Sequence, residues 1–166
     1  MKNSTFITIL TSVILFSGCD TNTPERSIGF VTGDNSESQW HLGTQSAIDI
    51  VNTVDELWVN QDYEGMRPYF ADSVEVIRPN GSTTNTFDSF VESFSTGDNA
   101  TWSYNYAFSV DLDPSIGGEH VQAGFVITYH ATDHRAEYTN FQHESYYVLD
   151  GKIITIRQYS IRGDSQ

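Results

Sequence analysis

Cations are scarce in this sequence, and their scarcity excludes more than any motif does. Eight Lys and Arg stand against 22 Asp and Glu, a formal net charge of −14 at pH 7. Nucleic-acid affinity is built on cations that displace counterions from phosphates, so this balance excludes a DNA or RNA partner. Cysteine is nearly missing as well. One residue, Cys19, cannot close an intramolecular disulfide, and the five His offer none of the paired spacings of a structural zinc site. Charged residues make up only 18%, against 38% hydrophobic and 13% aromatic, so the chain is not a disordered polyelectrolyte. Its 166 residues fit one ordinary domain plus a short appendage.

The appendage is at the start. Lys2 supplies a positive charge, Phe6 to Phe16 is mainly apolar, and Phe16-Ser17-Gly18-Cys19 looks like a bacterial lipobox, the small-small-Cys pattern at which a lipoprotein signal peptide is cut. Residues 1–18 are therefore expected to be removed and Cys19 to carry acyl chains, each buried methylene contributing about 0.8 kcal/mol to membrane attachment. The plainer alternative is a secretory signal with an incidental thiol. Lipidation places the mature protein in the bacterial cell envelope, anchored without a spanning helix. From there to Gly43 the chain is polar, and 19–43 reads as the lipidated Cys and a tether, with Ile28, Phe30, Val31 and Trp40 able instead to dock as an extended arm.

Order is expected over 44–162, with a tail at 163–166. Thr44 caps a helix whose Ala47, Ile50, Val51, Val54, Leu57 and Trp58 recur at three- and four-residue spacing. Asp62 caps a second, short helix bearing Tyr63, Met66, Tyr69 and Phe70. Val74 to Arg78 reads as a strand stopped by Pro79-Asn80-Gly81, and Thr86 caps a third helix with Phe87, Phe90, Val91 and Phe94 on one face and Gly97 past its end. The rest reads as four long strands. In the first, Trp102, Tyr104, Tyr106, Phe108, Val110 and Leu112 alternate with smaller or polar residues. Val121 to His130, Tyr138 to Leu149 and Ile153 to Ile161 follow, the last two joined by Asp150-Gly151, the strongest hairpin signal in the chain.

That order, with Tyr69-Phe70-Ala71-Asp72-Ser73-Val74-Glu75-Val76 before the first strand and Leu149-Asp150-Gly151-Lys152-Ile153 at the last hairpin, resembles the nuclear transport factor 2-like superfamily, which includes SnoaL-like polyketide cyclases and ketosteroid isomerases. The resemblance implies an α+β fold, a cone-shaped curved antiparallel sheet packed on three N-terminal helices. It also implies a pocket on the concave side and a homodimer. Placed on this chain, the isomerase base falls on Arg78, the oxyanion-hole tyrosine near Val54 and the second acidic donor near Ser145. None of these residues is of the required type, which argues against that activity.

A two-residue turn at Asp150-Gly151 predicts a register. It pairs Tyr147 with Ile154, Ser145 with Ile156 and His143 with Gln158 on one face, and Tyr146 with Thr155 and Glu144 with Arg157 on the other. The second set contains an ion pair and is assigned to solvent or to a dimer contact around Tyr146 and Tyr159. The expected pocket therefore comprises Arg78, Trp102, Tyr104, Tyr106, His143, Ser145, Tyr147, Ile156 and Gln158. It suits a small, partly apolar ligand, one carrying an anionic group included, with His143 as the general acid or base if the domain is a SnoaL-like enzyme. His143 has an alternative reading as a core histidine bonded to Gln158. No cofactor is implied. Nor is a metal: His130, Asp133 and His134 sit together at a hairpin tip without a further ligand.

Overall fold

The computed structural model describes residues 27–93 and 99–163. The expected signal peptide, Cys19, the 163–166 tail beyond Gly163, and Phe94 and Gly97 of the third helix lie outside the described residues.

Helix α1, Gln45–Val59, begins where Thr44 accepts the Ala47 N–H on its side chain. Its buried stripe is Ala47, Val51 and Val54. Helix α2, Tyr63–Met66, is capped by Asp62, whose carboxylate accepts the Gly65 N–H at 2.9 Å. Helix α3, Phe87–Glu92, is capped by Thr86 and buries Phe87 and Phe90. Phe90 is the keystone, its ring edge-on to Trp58 at 5.2 Å and tilted against Phe70 at 5.8 Å. Aromatic packing of this kind adds about 0.5–1.5 kcal/mol per pair to the gain from burial.

Seven strands form one curved sheet: β1 (His41–Leu42), β2 (Phe70–Ile77), β3 (Thr83–Thr84), β4 (Ala100–Asp111), β5 (Glu119–Tyr129), β6 (Tyr138–Leu149) and β7 (Lys152–Arg162). Their spatial order is β1-β4-β5-β6-β7-β2-β3. All neighbours are antiparallel except β2 and β7, which run parallel, so the sheet is mixed rather than purely antiparallel. The parallel pair follows from connectivity: β2 precedes the four-strand meander, whose last strand returns beside it. The three helices cover one face, here called inner, where Val121, Ala123, Phe125, Tyr146, Val148, Ile153 and Ile156 meet the helical stripe in one core.

The arm before α1 is partly docked. Ile28 bridges Trp40, β1 pairs with the end of β4, and the Trp40 ring stands edge-on to His120 at 5.3 Å. Glu119 holds the junction, accepting the Thr44 hydroxyl at 2.7 Å and the Ser109 hydroxyl at 2.7 Å. Gly43 is required here, since a β-carbon would lie 2.1 Å from Ser109 Oγ.

The hairpin at Asp150-Gly151 forms as predicted, with positive φ at both residues and Leu149 opposite Lys152. The predicted register then fails after one further pair. Val148 faces Ile153, but Tyr147 faces Thr155, leaving Ile154 as an extra residue in β7. Such a bulge reverses every later β7 side chain relative to the register predicted without it. A second bulge, at Asn105, breaks β4: Tyr104 faces Phe125 while Tyr106 faces Gly124. The aromatic stripe read as one buried face is thus divided, with Trp102 and Tyr104 on the inner side and Tyr106 and Phe108 on the outer.

Candidate functional site

Faces and bulges together redistribute the predicted site residues. Trp102, Tyr104, Ile156 and Gln158 lie on the inner face. His143, Ser145 and Tyr147 lie on the outer face of the unbroken β6, a correction to the expected face, and Tyr106 joins them through the β4 bulge. There His143 Nε2 meets Gln122 Oε1 at 2.9 Å and its Nδ1 meets the Tyr106 hydroxyl at 3.2 Å. Ser145 accepts the Gln122 amide at 2.9 Å. Ser145 and Tyr147 line an outer groove of about 390 Å³ together with His120, Arg157 and Tyr159. Arg78 sits past the end of β2 and its guanidinium donates to Ser93 Oγ at the end of α3, away from the other predicted site residues. The expected Glu144–Arg157 surface pair does not form. Glu144 faces Gln158 on the inner side, and Arg157 faces Ser145 on the outer.

Glu144 is the residue that the sequence reading missed. It is 6% exposed, among the core residues of β5–β7. Gln158 Nε2 donates to its Oε1 at 2.8 Å, Gln142 Nε2 donates to the same oxygen at 2.5 Å, and the Tyr146 hydroxyl donates to Oε2. Burial pushes the Glu144 carboxyl above its ordinary value of 4.5; the three hydrogen bonds oppose this and nearby Asp55 reinforces it. Burial and the adjacent Glu144 likewise hold the Tyr146 phenol well above its ordinary range.

Asp55 projects from α1 toward the same centre and accepts the Trp102 indole N–H at 2.9 Å. Burial raises its pKa; the indole hydrogen bond opposes this and Glu56 adds to it. Tyr104, stacked on Phe125 with centroids 4.8 Å apart, is influenced by both carboxylates. Its phenol is pushed up to about 12, first by burial and then by Asp55 and Glu144. The Tyr104 hydroxyl is buried without a hydrogen-bond partner, as are Asn140 Oδ1 and Ser160 Oγ on the inner side of β6 and β7. Each such atom costs about 1–3 kcal/mol, so this face holds polar capacity that the protein itself does not use.

The positions to which the isomerase resemblance assigns a tyrosine and an acid, near Val54 and Ser145, are each one residue from Asp55 and Glu144. A signal for this existed in the sequence: Gln142 and Glu144 share a strand face with Tyr146 and Val148, a polar-to-apolar gradient that a solvent face would not need. Among the described residues, no group of three or more His, Cys, Asp and Glu is arranged to hold a metal ion. His130 instead contacts Thr101 Oγ1 at 3.1 Å and Glu137 Oε2 at 3.2 Å. No described helix is long and apolar enough to cross a membrane.

No protein-family model matches the chain, and no curated protein matches it. Solved structures do. A nuclear transport factor 2-like protein from Burkholderia xenovorans LB400 is similar over 72% of this chain and 92% of its own, with 17% identity and a TM-score of 0.56. An LEH-like epoxide hydrolase from M. tuberculosis is similar over 71% of this chain and 84% of its own, at 12% identity and a TM-score of 0.54. A protein with a ketosteroid isomerase-like fold from Catenulispora acidiphila DSM 44928, solved in complex with trimethylamine, is similar over 66% of this chain and 83% of its own, at 14% identity and a TM-score of 0.52. The curved sheet over three helices, the parallel return of β7 beside β2 and these likenesses together establish that the chain has the nuclear transport factor 2-like fold.

Proposed function

We propose that this protein is a lipid-anchored domain of the bacterial cell envelope that binds a small, partly apolar molecule on the inner face of its cone. The observation that carries the binding reading is the set of unpartnered buried polar atoms, Tyr104 Oη, Asn140 Oδ1 and Ser160 Oγ, on the same face as the buried Glu144. Ligand pockets combine apolar walls with a few such polar groups. Trp102, Tyr104, Phe125 and Ile127 supply the walls.

The anchor rests on the lipobox resemblance at Cys19. Native mass spectrometry of the protein purified from its own membrane tests both halves. The expected result is a mature chain beginning at an acylated Cys19 and carrying a small molecule that Trp102→Ala loses. An unmodified Cys19 overturns the anchor, and a ligand retained equally by Trp102→Ala overturns the site.

A second reading, self-association, is favoured by the outer face. Tyr106, Phe108, Phe141, Tyr159 and Ile161 are 49–74% exposed across β4, β6 and β7, an apolar surface on a chain of net charge −14. Light scattering should report a dimer for the wild type and a monomer for Tyr159→Glu; a monomeric wild type overturns this reading.

A further inference from the structure

We infer that the molecule bound on the inner face is a small organic cation, an amine or quaternary ammonium, held by Asp55 and Glu144 against the rings of Trp102 and Tyr104. The inference rests on the proposed inner-face site and names its ligand class.

Asp55 lies close enough to add to the raised pKa of Glu144, yet neither carboxylate has a cationic partner among the described residues. Glu144 accepts only from the neutral groups of Tyr146, Gln158 and Gln142, and Asp55 only from the Trp102 indole. A buried carboxylate without a counter-charge is costly, and the protein answers by favouring the protonated forms, as the raised values of both residues record. An anion brought here would add to that cost. A cation removes it.

The surrounding rings suit the same charge. Trp58 and Trp102 meet edge to face at 6.4 Å, and Tyr104 and Phe125 are stacked, so half-buried Trp102 and Tyr104 border the carboxylates with electron-rich rings. Such faces attract ammonium groups, most strongly where water is excluded. The unpartnered Tyr104 hydroxyl gives an N–H donor a place to end. Arg78, the residue on which an anionic ligand was expected, is hydrogen-bonded at the end of α3 instead.

The test compares three probes of nearly equal shape on the wild-type chain by calorimetry, with Trp fluorescence as a second readout. They are choline, its uncharged isostere in which a tert-butyl group replaces the trimethylammonium, and tert-butylacetate. Choline is expected to bind about 10-fold more tightly than the isostere, and more tightly as pH rises, because binding draws on the ionised carboxylates. Glu144→Gln and Asp55→Asn are each expected to remove that preference while leaving the isostere's affinity within about 3-fold. Equal binding of choline and the isostere, or tightest binding of tert-butylacetate, overturns the cation assignment and leaves the inner-face site standing. Binding of none of the three overturns both. The wild-type comparison does not depend on any variant folding.

Discussion

Glu144 and Gln158 oppose each other directly across the β6–β7 ladder, with the Gln158 amide donating to the carboxylate at 2.8 Å, and Ile154 is the reason. Paired residue for residue from the hairpin, with no bulge, the same strands would set Arg157 opposite Glu144 and turn Gln158 outward beside His143. The surplus residue in β7 decides that Ile156 and Gln158, rather than Thr155 and Arg157, enter the interior.

Deleting Ile154 should therefore keep the observed register, because Thr155 would follow Ile153 directly and remain opposite Tyr147. Ile156 and Gln158 would still face inward, and the loss of the bulge's local bend is expected to cost a few kcal/mol at most, within the stability of about 5–15 kcal/mol of a domain this size. Ile154→Ala keeps the residue count and is expected to cost about 1–3 kcal/mol. Urea titration followed by circular dichroism should show a cooperative transition for both variants, and loss of the transition on deletion would contradict the assignment of Ile154 as the surplus residue.

Glu144 makes stability fall as pH rises. Its pKa is raised in the folded state, so the native protein holds a proton that the unfolded chain gives up, and stability declines from the ordinary value of 4.5 upward through the folded one. Asp55 acts in the same direction from 3.8. Glu144→Gln should flatten this decline and raise the melting temperature most near neutral pH. A melting profile that falls as steeply in the variant as in the wild type would contradict the assignment.

Glu119 behaves in the opposite sense. Burial raises its pKa, but hydrogen bonds from the Thr44 hydroxyl, the Ser109 hydroxyl and the Thr44 N–H outweigh it, and the net direction is down. Its contribution is present above 4.5 and lost as pH falls through the depressed value. Glu119→Ala is expected to cost about 1–2 kcal/mol near neutrality, by uncapping the entry to α1, and to shrink toward zero in acid. Hydrogen exchange should show early opening of the first turn of α1.

Phe90→Ala tests the packing of the helices on the sheet. The side chain is fully buried between Trp58 and Phe70, and its loss should cost about 3–5 kcal/mol. Phe90→Leu should recover more than half of that in the same denaturant titration.

The parts of the fold that follow local rules were legible. Thr44, Asp62 and Thr86 cap helices where predicted, and Asp150-Gly151 makes the predicted turn, because caps and tight turns depend on residues within a few positions of one another. The site was legible only in part. Trp102 and Tyr104 come before the β4 bulge, whereas Ile156 and Gln158 face inward opposite Tyr146 and Glu144 rather than opposite Ser145 and His143. Glu144 and His143 alternate on an unbroken β6 and were assigned to the wrong faces because the pairing of Glu144 with Arg157 read as an exposed ion pair; that pairing fails because Ile154 follows Ile153 in an unbroken apolar run, and nothing in its side chain marks it as the residue left unpaired. A bulge answers to the curvature of the whole sheet, which no local pattern encodes. The parallel pairing of β2 with β7 is hidden for the same reason.

The position of Glu144 also bears on how functions are transferred between distant relatives of this architecture. Threading a known catalytic set onto this chain by sequence landmarks lands on Ser145, a hydroxyl looking outward, and rejects the activity; one step along the same strand lies a concealed acid. Homology arguments at identities of 9–19% should align ladder by ladder rather than letter by letter.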